Sequence, residues 1–466
     1  MASSRRRLAS VVSGGRALLG WIFTAWLAVA GSTAQAQVDP WPRPAERPWL
    51  EEPVAAHREG RERLLREVVA LFERLYWEPE HLDWTAWAER FRDEVVGAPD
   101  RPAFDAAMAR MIRAVGDDHS SWMGLPPAAT AAPAVPERAT TNGLGAQLAH
   151  VAGRGLVVER VFPGTAAAEV GLRRADVITA VDGVDLSGLA SLREATEALT
   201  AALRRGTVLL RLERGRVSLD VPVTAVPVDF GDVATRPYGT MLDEAVALLH
   251  VPSFNEAGVG AAVHAAVRDL QAAGASALVL DLRGNLGGRL IEAGLAVGVF
   301  LDGAWARGSA RGEVAWEARY EIGPGATGPE GRVRLLEAAG GSIGEGRVAD
   351  PVRFDGPVVV VVGSETASAA EIVAGALLAA GRARVVGERT QGNVEAVRSF
   401  ALSDGSRVLV AIARMEGADG TRFDDGIVPE ATARASVRDL ARGVDPPVAE
   451  ALRLLGNLPF TPGRWF

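Results

Sequence analysis

Five consecutive valines, Val358–Val362, stand between Pro357 and Gly363. A β-branched run of that length with no polar member suits a strand buried on both faces, so the chain must supply cover on each side of its sheet. The run leads through a short turn into AAEIVAGALLAAG, residues 369–381, which reads as a helix. Around it the pattern repeats. AVALLHVPSF (245–254) and SALVLDL (276–282) read as strands, with GVGAAVHAAVRDLQAAG (258–274) as the helix between them and RLIEAGLAVGVFL (289–301) as the next helix. Residues 229–456 are therefore an α/β core, closed by a short helix in DPPVAEALRLL (445–455). The Arg- and Gly-rich stretch from Ala304 to Asp350 has no clear period, and a hairpin plus a loop over a groove is expected there.

The chain has 466 residues, enough for about three domains. From Ala55 to Val115 apolar residues recur at helical spacing, which gives an N-terminal helical region over 37–125 ending in the polar loop GDDHSSWM (116–123). Residues 37–53 form a proline-rich lead-in, and 126–140 form a linker. Ahead of them, Arg5, Arg6, Arg7 and Arg16 precede the apolar run ALLGWIFTAWLAVAG and Ala34-Gln35-Ala36. This order predicts a signal peptide over residues 1–36, the only expected membrane contact, since about 15 apolar residues are short for a span. Export to the periplasm or beyond follows. Its removal takes four arginines and no acids, moving the net charge from −8 to −12. An acidic chain of this kind does not suggest a nucleic-acid partner.

All 50 basic residues are arginine, and there is no lysine and no cysteine. That excludes disulfides, thiolate metal sites, a cysteine nucleophile, a Walker A loop and Schiff-base chemistry. No histidine pair has metal-ligand spacing, so neither a metal nor another cofactor is implied.

Between residues 138 and 228, short strands alternate with turn glycines at Gly143, Gly164, Gly171 and Gly183. GLGAQL (143–148) and FPGTAAAEVGLRRADVITAVDG (162–183) resemble a PDZ domain, with Ala175 where glycine is usual. In that family the loop matching Gly143, Leu144, Gly145 and Ala146 offers backbone N–H groups to a peptide's terminal carboxylate, and the peptide adds as a strand.

Ser368 opens a helix, where free N–H groups favour developing negative charge, although Ser368-x-x-Glu371 is also the spacing of a capping box. DLRGNLGG (281–288) is a strand running into a glycine loop, which suits an oxyanion hole as well as a phosphate loop or a plain turn. DLRGNLGG and TASAAEIVAGALLAAGRARVVGERTQGN (366–393), behind the PDZ-like segment and GDDHSSWM, together resemble the C-terminal processing (tail-specific) peptidases. The late DGTRFDDGIVPE (419–430) extends the likeness over nearly all of the chain after residue 36.

The resemblance implies a multidomain α/β serine endopeptidase that acts on extended or unfolded polypeptides, helped by PDZ recognition of their C-terminal regions. Ser368 matches the nucleophile, and Ala369 with Gly287 or Gly288 matches the oxyanion donors, Gly287 being preferred. Where lysine-dependent members carry Gly-Lys, this chain has Gly392-Asn393, and an amide cannot take the serine proton. Of the six histidines (His57, His81, His119, His150, His250 and His264), His119 matches the base of a branch resembling the tricorn core peptidase. That branch orients its base with a serine and a glutamate. Here Asp118 precedes His119, so the orienting acid is open among Asp118, Glu395 and Glu416, with Glu395 favoured for its place just after the lost lysine. The rival expectation is a catalytically inactive, PDZ-containing peptide-binding protein. A third is a peptidase that becomes active only after a partner or substrate rearranges it.

Overall fold

The computed structural model describes residues 57–117, 119–125, 141–228, 234–326 and 328–456, all within the unit Glu52–Phe466. The expected signal peptide, the lead-in, the linker and Asp118 lie outside the described residues. Among those described, no helix is long and apolar enough to cross a membrane.

The valine run is a strand in a six-stranded sheet whose order is Tyr238–Met241, Val246–His250, Ala277–Asp281, Val358–Val362, Ala383–Gly387 and Ala431–Thr432. The first pair is antiparallel and the remainder are parallel. All five valines are buried because both faces are covered. Helices Val259–Ala272, Leu290–Val297 and Ala369–Ala379 belong to the large core on one face, while Ala451, Leu454 and Leu455 of the C-terminal helix Pro446–Gly456 pack on the other.

Ala304–Asp350 is not a hairpin and loop. It builds four antiparallel strands, Gly303–Ala310, Glu313–Pro324, Pro329–Glu337 and Gly341–Ala349, which join Ser121–Gly124, Glu395–Ala401 and Arg407–Gly417 in a seven-stranded sheet. Its polar face carries cross-strand pairs such as Arg334 with Glu321, 2.5 Å apart, while Trp316, Tyr320, Val333 and Leu335 face the core. The N-terminal helices Arg58–Leu75, Trp84–Val96 and Arg101–Arg113 bury Phe72, Phe104 and Met108 against Val408, Val410 and Ala411 of this sheet. That packing fixes the loop carrying His119, and Ser120 Oγ accepts Ala411 N–H at 3.0 Å.

The PDZ-like segment is a sheet ordered Ala146–Val151, Gly155–Val161, Val177–Val181, Thr207–Arg214 and Val217–Thr224, with Val184–Asp185 on the third strand and the helix Leu192–Leu203 closing its core. Gly145 has φ +79°, and a Cβ there would meet Thr165 Cβ at 2.1 Å, so the turn between Leu144 and Ala146 admits only glycine. Leu144 and Gly145 direct N–H groups to no backbone acceptor among the described residues. Ala175, where glycine was expected, takes φ +70°.

The C-terminal segment joins this domain to the core. Leu440 and Ala441 pack on Val157 and Val177, and Asp445 receives Arg174 at 2.6 Å and Arg283 at 2.8 Å.

One buried histidine gives the core a pH signature. His264 Nε2 donates to the Leu295 carbonyl at 2.9 Å and Nδ1 accepts Val352 N–H at 3.0 Å, an arrangement only the neutral ring can make. Burial lowers its pKa from 6.5 to about 4. Below pH 6.5 the unfolded chain takes up a proton that the folded chain refuses until about pH 4, so this contribution is complete above 6.5 and falls as pH drops toward 4. The expected loss is roughly 3 kcal/mol. Between pH 7 and 4 the unfolding free energy of wild type should fall by about that much relative to His264→Gln; a constant difference would refute the assignment.

Candidate active site

The nucleophile candidate sits at the carboxyl end of the parallel sheet, where loops 282–288 and 363–368 leave neighbouring strands Ala277–Asp281 and Val358–Val362. Such a crevice is where α/β sheets place their ligands. Ser368 holds φ 53° and ψ −127°, the one positive-φ residue at this site that is not glycine. A conformation of that kind costs on the order of 1–3 kcal/mol and persists only where the surroundings over-determine it.

Glu371 supplies that constraint. It is fully buried and accepts four donors: Ser368 N–H at 3.0 Å, Gly392 N–H at 2.7 Å, Asn393 N–H at 2.9 Å and the Thr390 hydroxyl. Burial pushes its pKa up against the pull of these bonds. Ser368 and Glu371 form the capping-box pair, and Glu371 N–H donates to the Ser368 carbonyl at 2.8 Å.

The glycine loop packs directly on this turn. Gly287 has φ +93°, and a Cβ there would lie 2.7 Å from Ser368 Cβ and 2.9 Å from Ala369 N. Asn285, fully buried, ties the loop in place: its carbonyl accepts Ala367 N–H at 3.0 Å, its Nδ2 donates to Val251 O at 2.9 Å, and its Oδ1 accepts Gly287 N–H at 2.8 Å. This last bond corrects the choice of donor. Gly287 N–H is already committed, whereas Gly288 N–H and Ala369 N–H have no protein acceptor among the described residues.

His119 reaches the site from the other sheet. Its Nδ1 lies 3.0 Å from Glu395 Oε2, with both side chains mostly buried, and its backbone N–H donates to Asp117 Oδ1 at 2.9 Å. The buried Tyr76 hydroxyl lies beside Asp117 and Glu395; burial first, then those two charges, raises its pKa. Glu395 is two residues beyond Asn393, whose carbonyl accepts Ser368 N–H at 2.8 Å. Ser368 and His119 are therefore anchored to one short segment, although Ser368 Oγ and His119 are not hydrogen-bonded to each other. Catalytic hydrogen bonds often close only when substrate is bound.

The other two acids considered beside Glu395 stand differently. Glu416 is taken by Arg307 at 2.9 Å and the Ser309 hydroxyl at 3.0 Å, and Asp118 lies outside the described residues. Asn285, Asp117 and Tyr76 were not singled out in the sequence. Only Asn285 left a trace there, as the one residue of a glycine-rich loop able to both donate and accept.

An amide at position 371 would bring its NH₂ against two of the four donors. Glu371→Gln should lower stability by about 2–4 kcal/mol and reduce any serine-dependent activity at least tenfold, because unsatisfied buried donors cost about 1–3 kcal/mol each. Denaturant unfolding gives the first number; an unchanged midpoint would show that the carboxylate does not hold the turn.

The sequence profile of peptidase family S41 matches residues 245–433, and that of the PDZ domain matches residues 134–210. The carboxy-terminal processing protease CtpA of Bacillus subtilis is 28% identical over 350 residues, covering 74% of this chain and 66% of the relative. The chloroplastic C-terminal processing peptidase of Tetradesmus obliquus is 30% identical over 347 residues, covering 71% and 68%. The chain thus spans about two thirds of the length of these relatives. Among solved structures, the photosystem II D1 C-terminal processing protease aligns over 83% of this chain and 98% of its own, with 22% identity and a TM-score of 0.45. With 30% identity extending over more than two thirds of a C-terminal processing peptidase, and with PDZ and core profiles matched in order, the chain belongs to peptidase family S41.

Proposed function

We propose that this protein is an exported, periplasmic or extracellular serine endopeptidase that cleaves extended or unfolded polypeptides, selecting them near their C-termini through its PDZ domain. The observation that carries the reading is the His119–Glu395 pair, 3.0 Å apart, anchored through Asn393 to a strained serine beside two unbonded N–H groups.

The chemistry follows from the atoms available. With Nδ1–H donating to Glu395, Nε2 of neutral His119 carries a lone pair and serves as base. Ser368 Oγ attacks the scissile carbonyl and gives its proton to His119, while the carbonyl oxygen becomes an oxyanion held by Ala369 and Gly288 N–H. Collapse expels the amine, which takes the proton from His119. A water then repeats the sequence on the acyl-enzyme, returning Ser368 and releasing the new carboxyl terminus. Asn393 takes no part through its side chain; its backbone is committed to Ser368 and Glu371.

The test is hydrolysis of an unfolded protein by the purified chain. Ser368→Ala and His119→Ala should each lower kcat/KM by 10³-fold or more, and Glu395→Gln by about 10²–10⁴, with unfolding midpoints little changed. Loss with Ser368→Ala alone would move the base elsewhere. A wild type that binds peptide C-termini without cleaving them would replace the enzyme reading with that of a peptide-binding protein.

A further inference from the structure

The N-terminal helices do more than cover the seven-stranded sheet, because the end of the first one meets the loop that carries His119. Helix Arg58–Leu75 stops at Tyr76, whose N–H caps it on the Phe72 carbonyl at 3.0 Å. The next residue crosses to the sheet: Trp77 N–H donates to the Ala411 carbonyl at 3.2 Å, and the Trp77 carbonyl accepts Arg311 N–H at 2.8 Å. Ala411 in turn sends its own N–H to Ser120 Oγ at 3.0 Å. One residue of strand Arg407–Gly417 is thus bonded to Trp77 on one side and to the neighbour of His119 on the other. It also borders a bulge, since Val397 faces Ala411 and Ala396 faces Ala413, leaving Ile412 unopposed. A bulge of this kind re-aims the side chains around it, and the facing strand starts at Glu395.

Two side chains of the same helical region reach the loop directly. His81 Nε2–H donates to the Val115 carbonyl at 2.8 Å, at the root of the loop. Tyr76 is 1% exposed, its ring held on Phe72, His81 and Trp84 with centroids 5.9, 5.4 and 5.2 Å away, and its hydroxyl lies beside Asp117 and Glu395. Asp117 is the turning point of the loop: its Oδ1 accepts His119 N–H at 2.9 Å and Ser120 N–H as well. Its Oδ2 is buried without a donor in good geometry among the described residues, and the neighbouring phenol is the group placed to close on it. Phenylalanine would fill the aromatic cluster equally well. A hydroxyl buried beside two carboxylates therefore needs a partner to account for it.

We propose that Tyr76 is a positioning residue for the histidine: its hydroxyl donates to Asp117 Oδ2, locks the turn at Asp117, and so holds the His119 ring on Glu395 with Nδ1–H toward the carboxylate. A phenol suits this task because it supplies a donor without adding charge. The helical region thereby forms part of the site through Tyr76, His81 and Trp77. The catalytic consequence rests on His119 as base; the orientation of the ring does not.

Tyr76→Phe keeps the ring and removes only the donor. In hydrolysis of an unfolded protein it should lower kcat at least tenfold with KM changed by less than about twofold, because no contact with substrate is lost. In an Asp117→Asn background, where the turn keeps its Oδ1 acceptor but the phenol no longer faces a carboxylate, Tyr76→Phe should cost less than about threefold. An undiminished loss there would show that the hydroxyl acts elsewhere and overturn the proposal. The ring itself is read without turnover in protein carrying nitrogen-15-labelled histidine, with the His119 signals identified by their absence from His119→Gln. Wild type should hold the Nδ1–H tautomer and Tyr76→Phe a mixture of both, a change that lost stability alone does not produce in the folded protein. An unchanged tautomer in Tyr76→Phe would overturn the proposal. A tautomer that shifts in a protein that cleaves nothing would sink the peptidase reading and leave the positioning role standing.

Discussion

The buried carboxylate of Glu371 is the point on which the arrangement depends. Four donors converge on it from two segments, the turn at Ser368 and the stretch from Thr390 to Asn393. Taking a carboxylate out of water is expensive unless its lone pairs are met, and here each oxygen receives two donors. The same bonds hold Ser368 at a φ it would otherwise leave, and they fix Asn393 where its carbonyl can take the Ser368 N–H. The strained Ser368 and the segment leading to Glu395 are thus locked as one piece.

From that piece the rest of the architecture works outward. Glu395 begins a strand paired with Arg407–Gly417, and the other edge of Arg407–Gly417 carries Ser121–Gly124, just after His119. The N-terminal helices gain their core by covering the same sheet, so hydrophobic burial in one region sets the position of a histidine in another. The PDZ-like domain is attached differently. It meets the core through a small apolar patch at Leu440 and through Asp445, bridged to Arg174 on one side and Arg283 on the other. A contact of that kind, small and largely ionic, holds an orientation with less energy than a continuous core would.

Much of this was legible in the residues. The valine run and the two strand-to-helix passages located three of the six strands of the parallel sheet and the helices beside them, because each has an unambiguous apolar period, while Tyr238–Met241, Ala383–Gly387 and Ala431–Thr432 were not read as strands. The stretch Ala304–Asp350 was misread because its strands alternate arginine and glutamate with glycine, and the glycines are demanded by neighbours rather than by turns. A Cβ at Gly308 would run into Trp316, and one at Gly331 into Tyr320. Glu371 posed the opposite difficulty. Its spacing from Ser368 is that of an ordinary capping box, and only the fold reveals that two further backbone donors and a threonine hydroxyl arrive from twenty residues away. Which glycine N–H is free depended in the same way on Asn285, whose side-chain oxygen faces Gly287.

The absence of lysine then acquires a structural meaning. Arginine cannot replace lysine as a base, because a guanidinium does not give up its proton in protein. The composition thus rules out a lysine base, and histidine is the residue type proposed in its place. Arg414, opposite Glu395 in the strand register, shows what arginine does instead: its guanidinium lies 4.0 Å from the centre of the Trp77 ring and binds Asp424 at 2.7 Å. It is a fixed cation that braces the sheet. His119, held by Glu395 through Nδ1, is the residue that the proposed mechanism puts in lysine's place.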